Sequence, residues 1–579
     1  MSNPLESYEK WLRYPQLDET LRQELSQLAG QEDEIADRFW KDLSFGTGGL
    51  RGKIGAGTNR MNLYTVSKAA RGIARHLLRQ SELASCAIGY DSRRGSRTFA
   101  RLMAAVMAEL GVRVHLFDEL VPTPILSFAV RYLRCDGGIM ITASHNPREY
   151  NGIKVYDRSG CQLNDDAARE VAAGIARHQD LVTRLPDYTE FAEKGMIRPI
   201  GRDVYDAFHE AVLERSIELP PEELHVVYSP LNGTGNRPVR RMLASLPNIR
   251  VSVVPQQENP DGEFPTTPRP NPELPEAMTL SLALTEELGA DICIATDPDC
   301  DRVGVGVRAE QGVKLLSGNQ VGALMFHFIC EGLRAKENLP EQPAAATTLV
   351  STPMADEIAA DYGVKLYKVL TGFKYIGDII NRLERDGGAD RFIFAFEESI
   401  GYLIGPYIRE KDGVGAAMMV CEMASYYKRQ GMTLIDAYQE LEARYGVFIS
   451  RLETLRYEGR KGEELMREKM DALRQMSEIA GLRVLEKTDY LHDETGLPKS
   501  NVLRFVLEGG RQAVYRPSGT EPLLKLYLTV RCTSREEGEK DMQTFAARAL
   551  ALAGGPQEAA EEKEEEKAPE IPPQNGAES

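Results

Sequence analysis

Apolar residues recur along the chain at two different spacings, which predict helices in some segments and strands in others. Near the N-terminus, Leu5, Tyr8 and Trp11 follow one another at helical spacing, and Ile35 and Phe39 do so after an acidic start. We therefore expect a helical prefix before the first strand.

Downstream of the prefix, short apolar runs alternate with helical patterns in three successive rounds. The first round contains CAIGYD, a helical stretch at 98–110, VRVHLFD and GGIMITAS. The second contains LHVVYSPL, IRVSVVP and ADICIATDPD, and the third contains TTLVSTPM, VKLYKVL and RFIFAFEES. Such alternation is typical of βαβ units. The chain is thus predicted to be α/β, with three similar domains that carry mixed sheets.

After about Arg451 the pattern changes to one helical stretch followed by strands. The stretch 462–479 precedes the runs RFVLE, AVYRPS and KLYLTVRC. This order predicts a smaller α+β domain at the C-terminus. We expect the four domains to surround one central cleft, since a chain of 579 residues is too long for a single core. The expected bounds are 1–203 (with the helical prefix), 204–318, 319–445 and 446–553.

Composition and charge restrict the classes of partner. Hydrophobic residues make up 42% and charged residues 27%, as in a globular protein, and the formal net charge is −17. So acidic a chain is not expected to bind nucleic acid or an anionic membrane. The last segment, 554–579, is predicted to be a disordered acidic tail, because eight Glu accompany two Lys from Glu558 onward.

The N-terminus has no secretory pattern, and no apolar stretch is long enough to cross a bilayer. The eight cysteines are scattered without a CxxC pair, which indicates reduced thiols and a cytoplasmic protein. We expect a small-molecule substrate and a monomer or a homodimer.

Three strands end in polar loops, within IMITASHNP, ICIATDPDCDR and FIFAFEESIG. Ligands of open α/β sheets bind beyond the carboxyl ends of strands, so these loops are predicted to face one cleft. The first loop brings a hydroxyl, an imidazole and an ammonium together in Ser144, His145 and Lys154. An ordinary strand-to-turn transition would explain the Ser, Asn and Pro, but not this grouping.

The second loop, DPDCDR, places three carboxylates at alternate positions: Asp297, Asp299 and Asp301. Clustered carboxylates repel one another unless a cation neutralises them, and hard oxygen ligands suit Mg²⁺. An exposed acidic turn is the alternative. A calcium-binding EF-hand is excluded, because Arg302 and Arg308 stand where Gly and Glu are needed.

Two further loops carry cations suited to phosphate. In RPSGTEP, Arg516, Ser518, Gly519 and Thr520 combine a guanidinium, hydroxyls and a glycine turn that could hold a terminal phosphate, although an ordinary turn is also possible. In FGTGGLRGK, Arg51 lies in a glycine loop. This is not an NTP-binding loop, because its glycine spacing is one residue too long and Ile54 replaces the metal-binding Ser or Thr.

The third strand-end loop, FEESIG, supplies carboxylates and a hydroxyl that suit sugar hydroxyl groups. Its candidate substrate-binding residues are Glu397 and Ser399. The segment TGFK adds Thr371, Gly372 and Lys374, whose cation could meet a phosphate or could simply be solvated.

Taken together, TASHNP, DPDCDR, the EES of FEESIG and RPSGTEP resemble the four diagnostic loops of the α-D-phosphohexomutase family, in the family's order. The resemblance implies that Ser144 is phosphorylated, that it binds Mg²⁺ together with the three Asp residues, and that glucose 1,6-bisphosphate is the intermediate and activator. Glucose 1-phosphate and glucose 6-phosphate would then be interconverted. Arg51 and Arg302 would neutralise the transferring group, while Lys154 and His145 are the acid/base candidates, Lys154 ranking first.

The choice of sugar stays open at this point. FEESIGY, with Tyr402 where dual-specificity members have His, is more similar to phosphoglucomutases with a helical prefix. That group also includes phosphopentomutases and a glucose-1,6-bisphosphate synthase, and phosphomannomutase activity is a further alternative. A haloacid-dehalogenase-type phosphatase would use Asp297 as nucleophile, but would have a small residue in place of Asp301. A non-catalytic sugar-phosphate sensor would need neither Ser144 nor three metal carboxylates.

Overall fold

The computed structural model describes residues 3–46, 48–177, 184–217, 221–457, 459–518 and 523–554. The chain divides into two compact units, residues 1–441 and 442–579. The expected tail, from residue 555 onward, and the phosphate-loop residues Gly519 and Thr520 lie outside the described residues.

The helical prefix has its own small core. Three short helices form it: α1 (Pro4–Leu12), α2 (Glu19–Ser26) and α3 (Glu32–Phe39). Trp11 of α1 makes edge-to-face ring contacts with Phe39 and with Tyr64 of the following domain, at centroid distances of 5.6 and 5.8 Å. The apolar spacing seen in the sequence therefore marks the buried faces of these helices at Tyr8, Trp11, Ile35 and Phe39, whereas Leu5 of the same pattern is exposed.

The first α/β domain is built on a seven-stranded sheet. Its strands are β1 (Phe45–Gly46), β2 (Gly49–Lys53), β3 (Ser85–Tyr90), β4 (Arg113–Leu116), β5 (Gly137–Ile141), β6 (Tyr150–Asp157) and β7 (Ile197–Pro199). They are ordered β1-β2-β6-β5-β3-β4-β7. Its helices are α4 (Leu63–Gln80), α5 (Ser96–Glu109), α6 (Thr123–Tyr132), α7 (Asp165–Ala176) and α8 (Tyr188–Glu193), and α9 (Arg202–Leu213) leads onward.

The second domain has five strands and the third has four. The second contains β8 (Leu224–Ser229), α10 (Asn236–Leu243), β9 (Ile249–Val253), α11 (Pro275–Leu288), β10 (Ile292–Thr296), β11 (Val303–Ala309) and β12 (Gly312–Leu316). The third contains α12 (Gly318–Ala335), β13 (Ala344–Thr348), α13 (Met354–Tyr362), β14 (Lys365–Val369), α14 (Phe373–Arg385), a 3-10 turn (Ala389–Arg391), β15 (Phe392–Glu397), β16 (Gly401–Leu403), α15 (Gly413–Arg429) and α16 (Leu434–Tyr445). The strand expected within 347–354 in fact ends at Thr348, because the chain turns there towards α13.

The same four-strand arrangement occurs in all three domains. In each domain a central strand forms parallel pairs with two neighbouring strands. Of these two neighbours, the one that comes later in the chain also pairs with a fourth, antiparallel strand. The antiparallel pairs are β5 with β6, β10 with β11 and β15 with β16. The first strand of each antiparallel pair, namely β5, β10 and β15, is buried along its whole length, as expected for inner strands covered on both faces. The predicted fold class of three similar α/β domains is confirmed.

The second unit has a curled antiparallel sheet with a helical layer. Its strands are β17 (Val447–Arg456), β18 (Glu478–Ile479), β19 (Leu482–Asp489), β20 (Leu503–Leu507), β21 (Arg511–Pro517) and β22 (Leu523–Cys532), in the order β17-β22-β21-β20-β19-β18. Its helices are α17 (Gly459–Gln475) and α18 (Arg535–Leu552). The predicted α+β C-terminal domain is confirmed, and the exact domain bounds stay predictions.

None of the helices in the described part of the chain is long and apolar enough to span a membrane.

Candidate active site

The turn after β5 presents Ser144 in an uncommon backbone conformation. Its φ is 51°, in the left-handed region, and its N–H donates to Thr142 Oγ1 at 2.8 Å. The residue is 3% exposed. A left-handed residue other than glycine costs free energy, so the surrounding contacts have to hold this turn in place.

A buried arginine supplies these contacts. Arg93 Nη2 donates to Ser144 O at 2.6 Å and also to Asn146 O. Its Nη1 donates to Pro147 O at 2.9 Å and to Tyr150 O at 3.1 Å. Burial lowers the pKa of this guanidinium, yet an arginine stays charged at physiological pH. One guanidinium thus ties four carbonyls of the Ser144 turn together.

The turn after β10 carries the three aspartates, and all three are buried. One carboxylate oxygen from each lies within 4.8 Å of the others. Asp297 Oδ1 accepts the N–H groups of Asp301 (3.0 Å) and Arg302 (3.1 Å). Asp297 Oδ2 accepts the hydroxyl of Ser144 at 2.8 Å, so the first and second domains meet at this pair.

The aspartate cluster fits a divalent cation. Asp299 Oδ1 and Asp301 Oδ1 are buried and have no hydrogen-bond partner among the described residues. Burial, with repulsion from the other two carboxylates, raises the pKa of Asp297 well above its usual value. Two such oxygens beside a third buried carboxylate provide the hard oxygen ligands that Mg²⁺ prefers.

Two lysines face the same cluster. Lys154 Nζ lies 2.7 Å from Asp299 Oδ2 and 2.8 Å from Asp301 Oδ2, and Lys411 Nζ lies 3.3 Å from Asp301 Oδ2. Burial by itself lowers the pKa of Lys154, but Asp299 and Asp301 outweigh burial and leave this pKa raised. The ammonium of Lys154 is therefore held in its charged form in this arrangement.

His145 and Arg51 also contact the Ser144 turn. His145 Nδ1 is 3.2 Å from Ser144 Oγ. Burial, with the positive charges of Arg302 and Arg51, lowers the pKa of His145 well below 6.5, so this imidazole is neutral at physiological pH. Arg51, on β2, donates to Asn146 Oδ1 at 2.9 Å. Arg302 lies 3.9 Å from Glu273 and 4.0 Å from Asp301.

The third domain contributes its own turn after β15. Glu397 Oε1 accepts the N–H of Gly372 at 3.1 Å, and Gly372 has a φ of 121° that favours glycine. Burial raises the pKa of Glu397 against the opposing charges of Lys411 and Arg302. Thr371 and Ser399, beside these two residues, are both partly buried.

Lys374, predicted either to meet a phosphate or to be solvated, is paired with a carboxylate, and its role towards a phosphate stays a prediction. Its Nζ lies 2.5 Å from Asp165 Oδ1 at the start of α7, and Tyr375 donates to Asp165 Oδ2 at 3.1 Å. This cation therefore links the third domain to the first.

The three strand-end turns share one backbone feature. Ser144, Cys300 and Ile400 all adopt left-handed φ values, of 51°, 55° and 54°. Each lies between the buried parallel strand and the antiparallel strand of its domain. The repeat predicted from the sequence therefore extends to the turns that carry the candidate chemistry.

In the second unit, Arg516 lies near the end of β21, opposite Lys525 of β22. The N–H of Ser518 donates to Leu523 O at 2.7 Å.

Sequence reasoning missed three residues that contact the site: Arg93, Thr123 and Lys411. Thr123 donates its hydroxyl to Asp299 Oδ2 at 2.7 Å. Each belongs to a local pattern that could have drawn attention: GYDSRR, VPTP and the charged run REKD at 409–412. None of these patterns by itself indicates which loop the side chain reaches.

Comparisons with known proteins agree with this geometry. The models of phosphoglucomutase/phosphomannomutase α/β/α domains I, II and III match residues 42–181, 206–312 and 317–445. A phosphoglucomutase of Staphylococcus haemolyticus is 36% identical over 522 residues, which cover 88% of this chain and 94% of the relative.

Solved structures of the same fold are also similar. A phosphoglucomutase/phosphomannomutase family protein of Burkholderia thailandensis has a TM-score of 0.67 at 20% identity, covering 89% of this chain and 99% of its own. The open form of the Paramecium phosphoprotein parafusin, a phosphoglucomutase, has a TM-score of 0.65 at 18% identity, covering 88% and 94%. With three family domains in order and a 36% identical relative over most of its length, the chain belongs to the phosphoglucomutase/phosphomannomutase family.

Proposed function

We propose that the protein is a phosphosugar mutase that interconverts glucose 1-phosphate and glucose 6-phosphate. The observation that carries this proposal is the contact between Ser144 Oγ and Asp297 Oδ2, 2.8 Å apart, beside two buried carboxylates that each keep one oxygen without a hydrogen-bond partner in the described part of the chain. A hydroxyl facing a cation site of this kind suits phosphoryl transfer, where positioning and charge neutralisation provide most of the catalysis.

The proposed reaction uses phosphorylated Ser144 as the resting form. A sugar hydroxyl attacks this phosphoryl group. A new bond forms between phosphorus and the sugar oxygen while the bond from phosphorus to Ser144 Oγ breaks; the proton of the sugar hydroxyl passes to a base, and the released Ser144 Oγ takes up a proton. The product is glucose 1,6-bisphosphate. Once the bisphosphate has reoriented, Ser144 attacks its other phosphate and takes that group, which releases the second monophosphate.

Asp297, Asp299 and Asp301 would hold Mg²⁺ together with the phosphoryl group on Ser144. When bound, the ion supplies charge neutralisation for the transferring group. Arg51, which is exposed, lies beside the Ser144 turn, and Arg302, which is half-buried, lies beside the aspartates; both positions support the same role for these two guanidinium groups.

Lys154 and His145 are the acid/base candidates of this proposal. A neutral imidazole can accept a proton, and His145 Nδ1 lies 3.2 Å from Ser144 Oγ. Lys154, held as an ammonium by two carboxylates, can donate a proton but cannot accept one in that state. In these charge states Lys154 can act only as the acid, which leaves His145 as the proton acceptor beside Ser144, although its lowered pKa makes this imidazole a weak base; the sequence alone ranked Lys154 first.

The sugar would contact the third domain. Glu397 and Ser399, with Thr371, Gly372 and Lys374 nearby, offer acceptors and donors for hydroxyl and phosphate groups. The loop that begins at Arg516 and Ser518 and continues through Gly519 and Thr520 would bind the non-reacting phosphate. The names of the curated relatives support glucose as the sugar; mannose and pentose phosphates and bisphosphate synthesis remain the alternatives to be assayed.

Small-molecule partners and a cytoplasmic location complete the proposal. The net charge of −17 is unfavourable for nucleic acid or anionic lipid. The cysteines are free thiols, as in reducing compartments. A monomer or a homodimer stays the expectation.

Substituting Ser144 tests the proposal against a phosphatase that uses Asp297 as nucleophile. We expect Ser144→Ala to fold but to lose mutase activity, and to lack the phosphoryl adduct that intact-mass analysis should detect in the wild type. Ser425→Ala is the matched control, because Ser425 is a buried serine whose hydroxyl donates to the Glu222 carbonyl and accepts the Glu222 N–H. Full turnover by Ser144→Ala, or an adduct that persists in it, would refute the phosphoserine mechanism.

A further inference from the structure

Helix α6 begins at Thr123, which contacts the aspartate cluster of the neighbouring domain. The backbone N–H of Thr123 donates to Asp299 O at 2.9 Å, and its Oγ1 donates to Asp299 Oδ2 at 2.7 Å. The side chain of Thr123 is completely buried. One residue of the first domain thus makes two hydrogen bonds to a single residue of the second.

Local sequence makes this contact rigid. Thr123 lies between Pro122 and Pro124 in the run VPTP, and each proline fixes its own φ. A proline also restricts the backbone of the residue before it, so Pro124 narrows the conformations open to Thr123. The backbone of Thr123, and with it the start of α6, therefore cannot shift easily away from Asp299.

The contact determines which oxygen of Asp299 stays free. Oδ2 accepts both the hydroxyl of Thr123 and the ammonium of Lys154, each at 2.7 Å. Oδ1 is buried and has no hydrogen-bond partner among the residues that the structure describes. With Oδ2 engaged by two donors from the first domain, rotation of the carboxylate would break both hydrogen bonds.

We propose that Thr123 is a positioning residue for the divalent cation, orienting Asp299 so that Oδ1 points to the metal position. This inference rests on the proposed function only in taking Asp299 as a Mg²⁺ ligand. Outer hydrogen bonds of this kind orient metal-binding carboxylates. Because Ser144 also belongs to the first domain, the same contact keeps the aspartate loop in register with the Ser144 turn.

The test measures Mg²⁺ binding directly. Full-length protein is stripped with a chelator and titrated with Mg²⁺ by isothermal titration calorimetry, and melting curves are recorded in parallel. Thr123→Val removes the hydroxyl at nearly constant volume, and the Kd for Mg²⁺ should rise roughly 10- to 100-fold. Thr123→Ser, which keeps the hydroxyl, should stay within about threefold of wild type, well short of that loss.

Ser127→Ala is the matched control. Ser127 lies one turn further along α6, is equally buried and donates to Gly160 O at 2.6 Å, away from the aspartates. Its Mg²⁺ affinity should equal that of wild type even if its melting temperature falls. If Thr123→Val does not fold, Thr123→Ala is judged by the same criterion.

Two outcomes would overturn the inference: an unchanged Mg²⁺ Kd in folded Thr123→Val or Thr123→Ala, and a loss of affinity in Thr123→Ser as large as in Thr123→Val. A lower melting temperature with unchanged affinity would mark Thr123 as merely structural. The proposed function fails separately, if wild-type protein binds Mg²⁺ but does not interconvert the sugar phosphates.

Discussion

Glu398 offers a test of the electrostatics of the third domain. It follows Glu397 in the turn after β15, and its Oε2 accepts the hydroxyl of Thr348 at 2.9 Å. Burial, reinforced by the neighbouring charge of Glu397, raises the pKa of Glu398 from 4.5 to about 7. The carboxyl of Glu398 therefore binds its proton more tightly in the folded protein than in the unfolded chain.

The sign of the pH dependence follows from this raised pKa. The folded state binds the proton more tightly than the unfolded state, so the stabilisation is fully present below pH 4.5 and is lost as pH rises through about 7. This pKa difference between the folded and unfolded states lowers the free energy of unfolding by about 3 kcal/mol at pH 8, compared with a carboxyl that stays protonated. Since Glu398 is only partly buried, water screens part of this effect, and we expect about 1–3 kcal/mol.

Glu398→Gln imitates the protonated carboxyl and keeps an acceptor for Thr348. For cooperative unfolding of residues 1–441, the unfolding entropy is about 0.9 kcal/mol per degree. The variant should thus melt about 1–3 °C above wild type at pH 8, with a much smaller difference at pH 5.

Differential scanning calorimetry at several pH values measures this difference. Glu310→Gln, an exposed residue of the turn between β11 and β12, is the control and should show no such pH dependence. A gain in melting temperature that is equal at pH 5 and pH 8, or a loss at pH 8, would refute the reasoning.

Two further substitutions test the phosphate-handling loops. Arg93→Lys should lower the melting temperature and reduce kcat by roughly tenfold or more, because three ammonium donors cannot replace a guanidinium that reaches four carbonyls. Losing one or two of these hydrogen bonds costs about 1–3 kcal/mol. If the variant melts and turns over like wild type, Arg93 does not position the Ser144 turn. Arg516→Ala should lower kcat/KM by roughly 10- to 100-fold in both directions and increase dependence on added glucose 1,6-bisphosphate, since a bidentate charged contact is worth about 1.5–3 kcal/mol. Kinetics in both directions across a titration of glucose 1,6-bisphosphate measure this effect. If the activity of the variant does not respond to added bisphosphate, Arg516 does not bind the non-reacting phosphate in both half-reactions.

Much of the fold was predictable because it depends on local periodicity. Buried inner strands such as β5, β10 and β15 are nearly continuous apolar runs, and each ends where polar residues begin. The strand expected within 347–354 was misplaced because Leu349 and Val350 are apolar residues of a buried turn, which periodicity alone cannot distinguish from strand residues.

The sequence by itself determined the chemical groups of the candidate site. Ser144 and the aspartates at 297, 299 and 301 each stand just after a buried strand, where ligand-binding groups of α/β sheets are expected. The two strands belong to different sheets, so bringing these groups together required the first and second domains to pack against each other. The similar left-handed φ values of Ser144, Cys300 and Ile400 could not be predicted from the sequence, because none of these residue types signals that conformation.

Only the tertiary structure decided how these groups are held and charged. Arg93 lies 51 residues from Ser144, and Thr123 lies 176 residues from Asp299. Lys374 is paired with Asp165 across 209 residues. Such contacts depend on how whole domains pack. Domain packing also places the carboxylates of Asp299 and Asp301 within 3 Å of the Lys154 ammonium, and these carboxylates raise the pKa of Lys154. Periodicity acts over a few residues, whereas positioning and electrostatics act through space, so the sequence specified the reactive groups and the folded chain specified their geometry.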